Sequence, residues 1–164
     1  MRLLLMPVAI VLMMTIGPAA AKKPAAAAKP LVGAWHLERY VDTPEKGPPV
    51  FAFGEHPVGL FVFTADGHVS IHIMRNPPTA ESTSADPDPD ACVPTWYCSY
   101  FGTYTVEPSG KRWVTHVEGG NIPSFIGTDQ PRAFSIKGDR LTISESYVAE
   151  GQTFRAERVL VRAR

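Results

Sequence analysis

Residues 51–75, FAFGEHPVGLFVFTADGHVSIHIMR, decide how this chain folds. Residues 60–64 and 68–74 are rich in aromatic and β-branched side chains, which suit a pleated surface, and Ala65, Asp66 and Gly67 between them supply a tight turn. The stretch reads as a complete β-hairpin. Similar short runs follow at residues 100–106, 113–119, 132–137, 141–146 and 153–161, with Pro108-Ser109-Gly110 and Lys137-Gly138-Asp139 as tight turns. Even spacing with turn residues between runs predicts an all-β chain of about eight to ten strands, mostly a meander. A long open sheet would leave an unpaired edge, so the expectation is a closed antiparallel barrel.

Upstream of the hairpin, residues 31–41 (LVGAWHLERYV) read as the first strand. Pro44, Gly47, Pro48 and Pro49 make residues 42–49 a loop, and residues 50–53 read as a short strand before the turn at Gly54-Glu55-His56-Pro57. Downstream, residues 76–95 hold Pro77, Pro78, Pro87, Pro89 and Pro94 with Glu81, Asp86, Asp88 and Asp90, and show neither helical nor strand periodicity. A loop of that length inside a compact domain is a candidate lid or binding loop. Residues 119–131, with three glycines and two prolines, form another irregular connection. Nothing beyond residue 30 asks for a long helix.

At the start of the chain, Met1 and Arg2 precede an apolar run to Ile16, followed by Pro18, Ala19, Ala20 and Ala21 ahead of Lys22. This is the pattern of a secretory signal peptide, residues 1–21, cut after Ala21. A membrane anchor is the other reading, but the run falls short of the roughly 20 apolar residues a bilayer core requires, and Pro7 interrupts it. The expectation is an exported protein, periplasmic or secreted, with no membrane span in the mature chain. Residues 22–30 (KKPAAAAKP) read as a disordered tether, which leaves residues 31–164 as one domain, long enough for a core of its own. The 16 basic and 16 acidic side chains balance, with no basic stripe, which excludes a nucleic-acid partner. Cys92 and Cys98, with five residues between them and routed to an oxidising compartment, are expected to form a disulfide that ties the end of the long loop to the next strand. Two free thiols are the alternative; a metal pair lacks two further ligands at a recognisable spacing.

Several side chains could carry chemistry. Alternation puts Arg132 on the same face as Phe134 and Ile136, hence inward, where a guanidinium needs an anion: a ligand carboxylate or enolate, or an internal acid such as Glu118. His116 and Glu118 share a strand face and could act as a base and its orienting carboxylate. With His72 they form a conceivable metal set, set against ordinary solvated or hydrogen-bonded histidines, since strand parity alone does not say which face turns inward. Tyr104 is either a hydroxyl donor to a bound polar group or a core aromatic with its tip satisfied, and Gly102 beside it gives a neighbour room. No nucleophile elbow, phosphate-cradling glycine loop or zinc spacing is present, so no metal site and no cofactor are expected.

The blocks LVGAWHL, FGEHPVGLFVFTADGHVSIHIMR, YFGTYTVE, VTHVEGGNIPSFIGTDQPRAF and GDRLTIS, in that order, make the chain resemble the bacterial and fungal lipocalin-like domain family over essentially the whole mature domain. The resemblance implies a closed barrel with a central cavity and says much less about activity. It also implies that Trp35 closes one end by stacking on an Arg of the last strand, with Arg155 and Arg158 as candidates. The Pro-rich loop with its cysteine pair stands where relatives carry a helical stretch. Tyr104, His116, Glu118, Gln130 and Arg132 fall in matching blocks and, with His72, form the expected polar ligand-binding cluster. The leading expectation is a barrel that binds a small, mainly apolar or amphipathic ligand and orients its carbonyl or carboxylate. The alternatives are a cofactor-free isomerase, cyclase or dehydratase in the same cavity, with His116 as base, and a cell-envelope structural or interaction module.

Overall fold

The structure is a computed structural model that describes residues 26–78, 92, 96–149 and 151–164. The expected signal peptide, the first part of the tether and most of the 76–95 loop lie outside the described residues. Eight strands, β1 (Gly33–Pro44), β2 (Val58–Phe63), β3 (His68–Met74), β4 (Tyr97–Val106), β5 (Arg112–Gly120), β6 (Asp129–Lys137), β7 (Arg140–Ala149) and β8 (Gln152–Arg162), form one closed barrel in chain order. Every neighbouring pair is antiparallel, and β8 returns to β1.

The apolar side chains select which face turns in. Phe61 and Phe63 of β2, Val69, Ile71 and Ile73 of β3, Trp113 and Val117 of β5, and Leu141 and Ile143 of β7 are all buried. The side chains between them are more exposed, the period-two pattern of a sheet with one wet face. The expected strand at residues 50–53 shrinks to a single bridge in which Val50 and Asp42 exchange backbone hydrogen bonds of 2.8 and 3.0 Å. The next hydrogen-bonding pair in that register sets Pro48 against Pro44, neither of which has an N–H, and on the other side the backbone turns at Gly54 (φ 82°).

One end of the barrel is shut by Trp35. Its indole N–H donates to the Leu31 carbonyl at 2.8 Å, and the Arg162 guanidinium lies 4.0 Å from the ring centroid. The stacking partner is thus Arg162, in place of the expected Arg155 or Arg158. The antiparallel register sets the start of β1 against the end of β8, so that Trp35 faces Arg162. Arg162 also donates to the carbonyls of Val32 and Pro30, at 2.9 and 2.8 Å. These contacts order part of the expected tether: Ala26–Ala28 form a 3-10 turn, with Ala28 and Leu31 buried against the barrel.

Two bulges break the regular registers. In β1 the pairing with β8 shifts between Leu37 and Arg39, leaving Glu38 as an extra residue, and between β4 and β5 it shifts at Phe101/Gly102, leaving Glu118 extra. At the second bulge the strands approach so closely that a Cβ on Gly102 would overlap the His116 carbonyl oxygen. Backbone cannot yield as a flexible side chain does. Gly102→Ala is therefore expected to cost at least about 2 kcal/mol of stability, as overpacking typically does, measured by urea denaturation; an unchanged midpoint would mean that the bulge relaxes freely.

Candidate functional site

The barrel encloses a cavity of about 200 Å³. Its walls are largely apolar, with Phe61, Ile71, Ile73, Trp113, Ile143 and Ala156 from five strands, and Ile122 and Phe125 from the connection between β5 and β6. Cys92 and Cys98, bridged as their spacing suggested, border it at the end opposite Trp35. Five strands place polar groups into this lining: Tyr40 from β1, Tyr100 from β4, Arg132 from β6 with Glu145 from β7, and Arg158 from β8.

The two arginines differ in how completely they are satisfied. Arg158 lies 3.3 Å from the Tyr40 ring centroid, 2.6 Å from Asp42 Oδ1 and 2.9 Å from the Val41 carbonyl, and its side chain is only 14% exposed. An ion pair withdrawn this far from water holds because backbone and ring contacts supplement the Coulomb attraction. Tyr147 donates to the same Asp42 carboxylate, and burial with that carboxylate pushes its phenol up to about 12. This cluster is closed on itself.

Arg132 has looser company. Its guanidinium donates to its neighbour's carbonyl on Pro131 at 2.7 Å and weakly to Gln130 Oε1 at 3.4 Å. Its nearest acid, Glu145, stays at 3.8 Å, outside hydrogen-bond range. It lies over the Phe125 ring at 5.9 Å and reaches the Tyr100 hydroxyl. Burial raises the Tyr100 pKa, opposed by the positive charge of Arg132, so Tyr100 stays a neutral hydroxyl. A guanidinium and a phenol facing one apolar void can hold a carboxylate or polarise a carbonyl.

Of the six residues expected to form the polar cluster, Arg132 lines the cavity, and its acid is Glu145, not Glu118. Three of the others face outward. His72 is exposed and hydrogen-bonds Ser70 Oγ at 2.9 Å and the Tyr97 hydroxyl at 2.7 Å. His116 is exposed and pairs through Nδ1 with Asp129 at 2.9 Å, and Glu118 is the exposed bulge residue. The reason is parity: Val69, Ile71 and Ile73 on β3 and Trp113, Thr115 and Val117 on β5 claim the inner face. With His116 outside, the cyclase or dehydratase mechanism loses its base. Tyr104 is buried and inward, but beside the closed end, where its hydroxyl donates to the Thr64 carbonyl at 3.1 Å and its ring meets Phe63 edge-on. It is a core aromatic. Gln130 does not line the cavity and touches the site only through Arg132. No group of three or more potential metal ligands exists among the described residues.

Sequence reasoning missed Tyr40, Tyr100, Glu145 and Asp42, and expected Arg158 at Trp35 and not in the cavity lining. Glu145 was legible, since it continues the inward series Leu141, Ile143. Tyr100 shares parity with Tyr104. Tyr40 and Asp42 were not, because strict alternation from Trp35 and Leu37 predicts odd residues inward, and the Glu38 bulge reverses that order.

The sequence profile of the lipocalin-like domain matches residues 32–164, which spans every strand of this barrel. The chain belongs to the lipocalin-like domain family. No curated protein matches it. A solved structure described as a redesigned beta barrel is similar at 12% identity and a TM-score of 0.43, over 87% of this chain and all of that one, a likeness too low to carry an argument. Among the described residues of this lipocalin-like protein, no helix is long and apolar enough to cross a membrane.

Tyr40, Tyr100, Tyr104 and Tyr147 all have phenols raised above the ordinary value, in each case first by burial. The fold favours their neutral, protonated forms, so this contribution to stability is complete below about pH 10, the unfolded value, and is lost as pH rises beyond it. For Tyr147 the loss is spread between about 10 and about 12. Absorbance titration of tyrosinate should show less than half of the tyrosine ionised at pH 10 in the folded protein, against about half in urea. Coincident folded and unfolded curves would contradict the burial of Tyr40, Tyr100 and Tyr104.

Proposed function

We propose that this lipocalin-like protein is exported and binds a small, mainly apolar ligand whose carboxylate or carbonyl is held by Arg132 and Tyr100. The observation that carries the reading is the contrast between the two cavity arginines. Arg158 has a full set of internal partners, whereas Arg132 faces the void with its nearest carboxylate 3.8 Å away. A half-satisfied guanidinium in an apolar enclosure gains more from an incoming anion than one already saturated.

Size narrows the ligand class. An apolar cavity of about 150 Å³ takes benzene, so about 200 Å³ suits one substituted ring or a short chain. Affinity comes from apolar burial at roughly 25 cal/mol per Å², and the polar pair sets orientation. With Arg158 paired to Asp42, the preference for an anion rests on Arg132, whose contact with Glu145 is the looser one.

Benzoate and benzyl alcohol, compared by titration calorimetry, separate the two contributions. Arg132→Gln should weaken benzoate by about 10- to 100-fold, the worth of a charge-assisted hydrogen bond, and leave benzyl alcohol little changed. Equal losses for both, or a native protein that takes up neither, would remove the proposal. Export rests on the Met1-to-Ala21 pattern. Terminal sequencing of the protein recovered outside the cytoplasm is expected to begin at Lys22; retention of the leader in the cytoplasm would contradict it.

A further inference from the structure

The barrel is closed, but not equally along its length. β6 and β7 pair only from Phe134–Ile143 to Lys137–Arg140. The other half of β6, from Asp129 to Ala133, pairs with β5 alone, and β7 beyond Ile143 pairs with β8 alone. A wedge without backbone hydrogen bonds therefore opens in the wall between these two strands. Pro131 helps to explain it. The hydrogen bonds Phe134 N to Lys111 O and Val117 N to Thr128 O fix which β6 residues point their amides at β5. By that alternation the Pro131 nitrogen faces β7, where proline has no hydrogen to give.

The wedge joins two spaces. On its outer side lies a groove of about 620 Å³ lined by Arg112, Pro131, Ala133, Ser144, Ser146 and Arg155. Arg132 and Glu145 border this groove and the internal cavity alike. Their side chains are 21% and 33% exposed, and the 3.8 Å contact between them spans the opening. Trp35 and Arg162 shut one end of the barrel, and buried Phe53, Ile122 and the Cys92–Cys98 bridge cover part of the other. The groove is also cationic. Arg155 makes no ion pair among the described residues, and Arg112 meets Glu107 only at 3.9 Å, with both side chains about half exposed.

We propose that small organic carboxylates reach the cavity through the wall between β6 and β7, landing on Arg112 and Arg155 outside and passing to Arg132 when its contact with Glu145 opens. This rests on the binding reading above and adds a route and an outer anion site to it. Weak, water-screened contact between Arg132 and Glu145 suits a gate, since an incoming carboxylate competes directly with Glu145 for the same guanidinium.

The test uses 5-fluorotryptophan-labelled protein, in which the fluorine resonance of Trp113 in the cavity wall reports occupancy by benzoate, and exchange spectra report its rates. Ala133→Cys with Ser144→Cys places two outward thiols across the wedge, to be joined by dibromobimane without touching the native disulfide. Bridging should slow both entry and release of benzoate at least about tenfold relative to the unjoined variant. Separately, Arg112→Gln with Arg155→Gln should slow benzoate entry by about three- to tenfold at low salt while leaving release and benzyl alcohol entry unchanged. If Trp113 responds to benzoate and the bridge leaves both rates as they were, the route is overturned and the binding reading survives. If the bridge acts but the arginine changes do not, the outer anion site falls. If Trp113 never responds to benzoate, the binding reading and the route fall together.

Discussion

The pairing of β1 with β8 is the constraint on which the rest of the molecule depends. It makes a barrel out of a meander, and it brings residues from opposite ends of the domain to one place. Trp35 meets Arg162 at one end of this seam, and Tyr40 and Asp42 meet Arg158 further along it. Without closure the two arginines and Asp42 would each lose their partners together, and the inner apolar faces of both edge strands would be exposed. The Glu38 bulge within the same seam turns Tyr40 and Asp42 inward, so the geometry that closes the barrel also furnishes one wall of its cavity.

The seam between β6 and β7 is built differently. There β6 and β7 diverge after four paired positions, and the charged residues that face each other across the divergence, Arg132 and Glu145, remain just too far apart for a hydrogen bond. Desolvating a charge is costly when its partner is poorly placed, which is why Arg132 collects weak supplementary contacts from Gln130, Phe125 and Tyr100. The contrast of a saturated pair on the closing seam and an unsaturated one at the short β6–β7 seam gives the cavity its polarity.

The histidines show how far residue chemistry can mislead when orientation is unknown. His72 and His116 lie in strands, near an acid or a hydroxyl, as catalytic residues do, yet both sit on the wet face with ordinary surface partners. The alternative parity was visible in Val69, Ile71 and Ile73, whose burial is worth about 1.5–3 kcal/mol each, more than a solvated imidazole gains from any single contact there. Summed apolar burial decides which face of a strand turns in, and one polar residue follows its strand.

The sequence by itself determined the all-β class, the hairpin centred on Asp66-Gly67, the order of strands, the cysteine pair and the inward direction of Arg132. All of these follow from local preferences: β-branched and aromatic runs, turn residues at short intervals, and a period of two. Only the tertiary structure decided the partners. That Arg162 rather than Arg158 covers Trp35, that Arg132 answers to Glu145 rather than Glu118, and that Tyr40 and Asp42 look inward all depend on register and on two bulged glutamates. A shift of one residue reverses every side chain beyond it, and such a shift arises from pairing between distant strands, which no local pattern records.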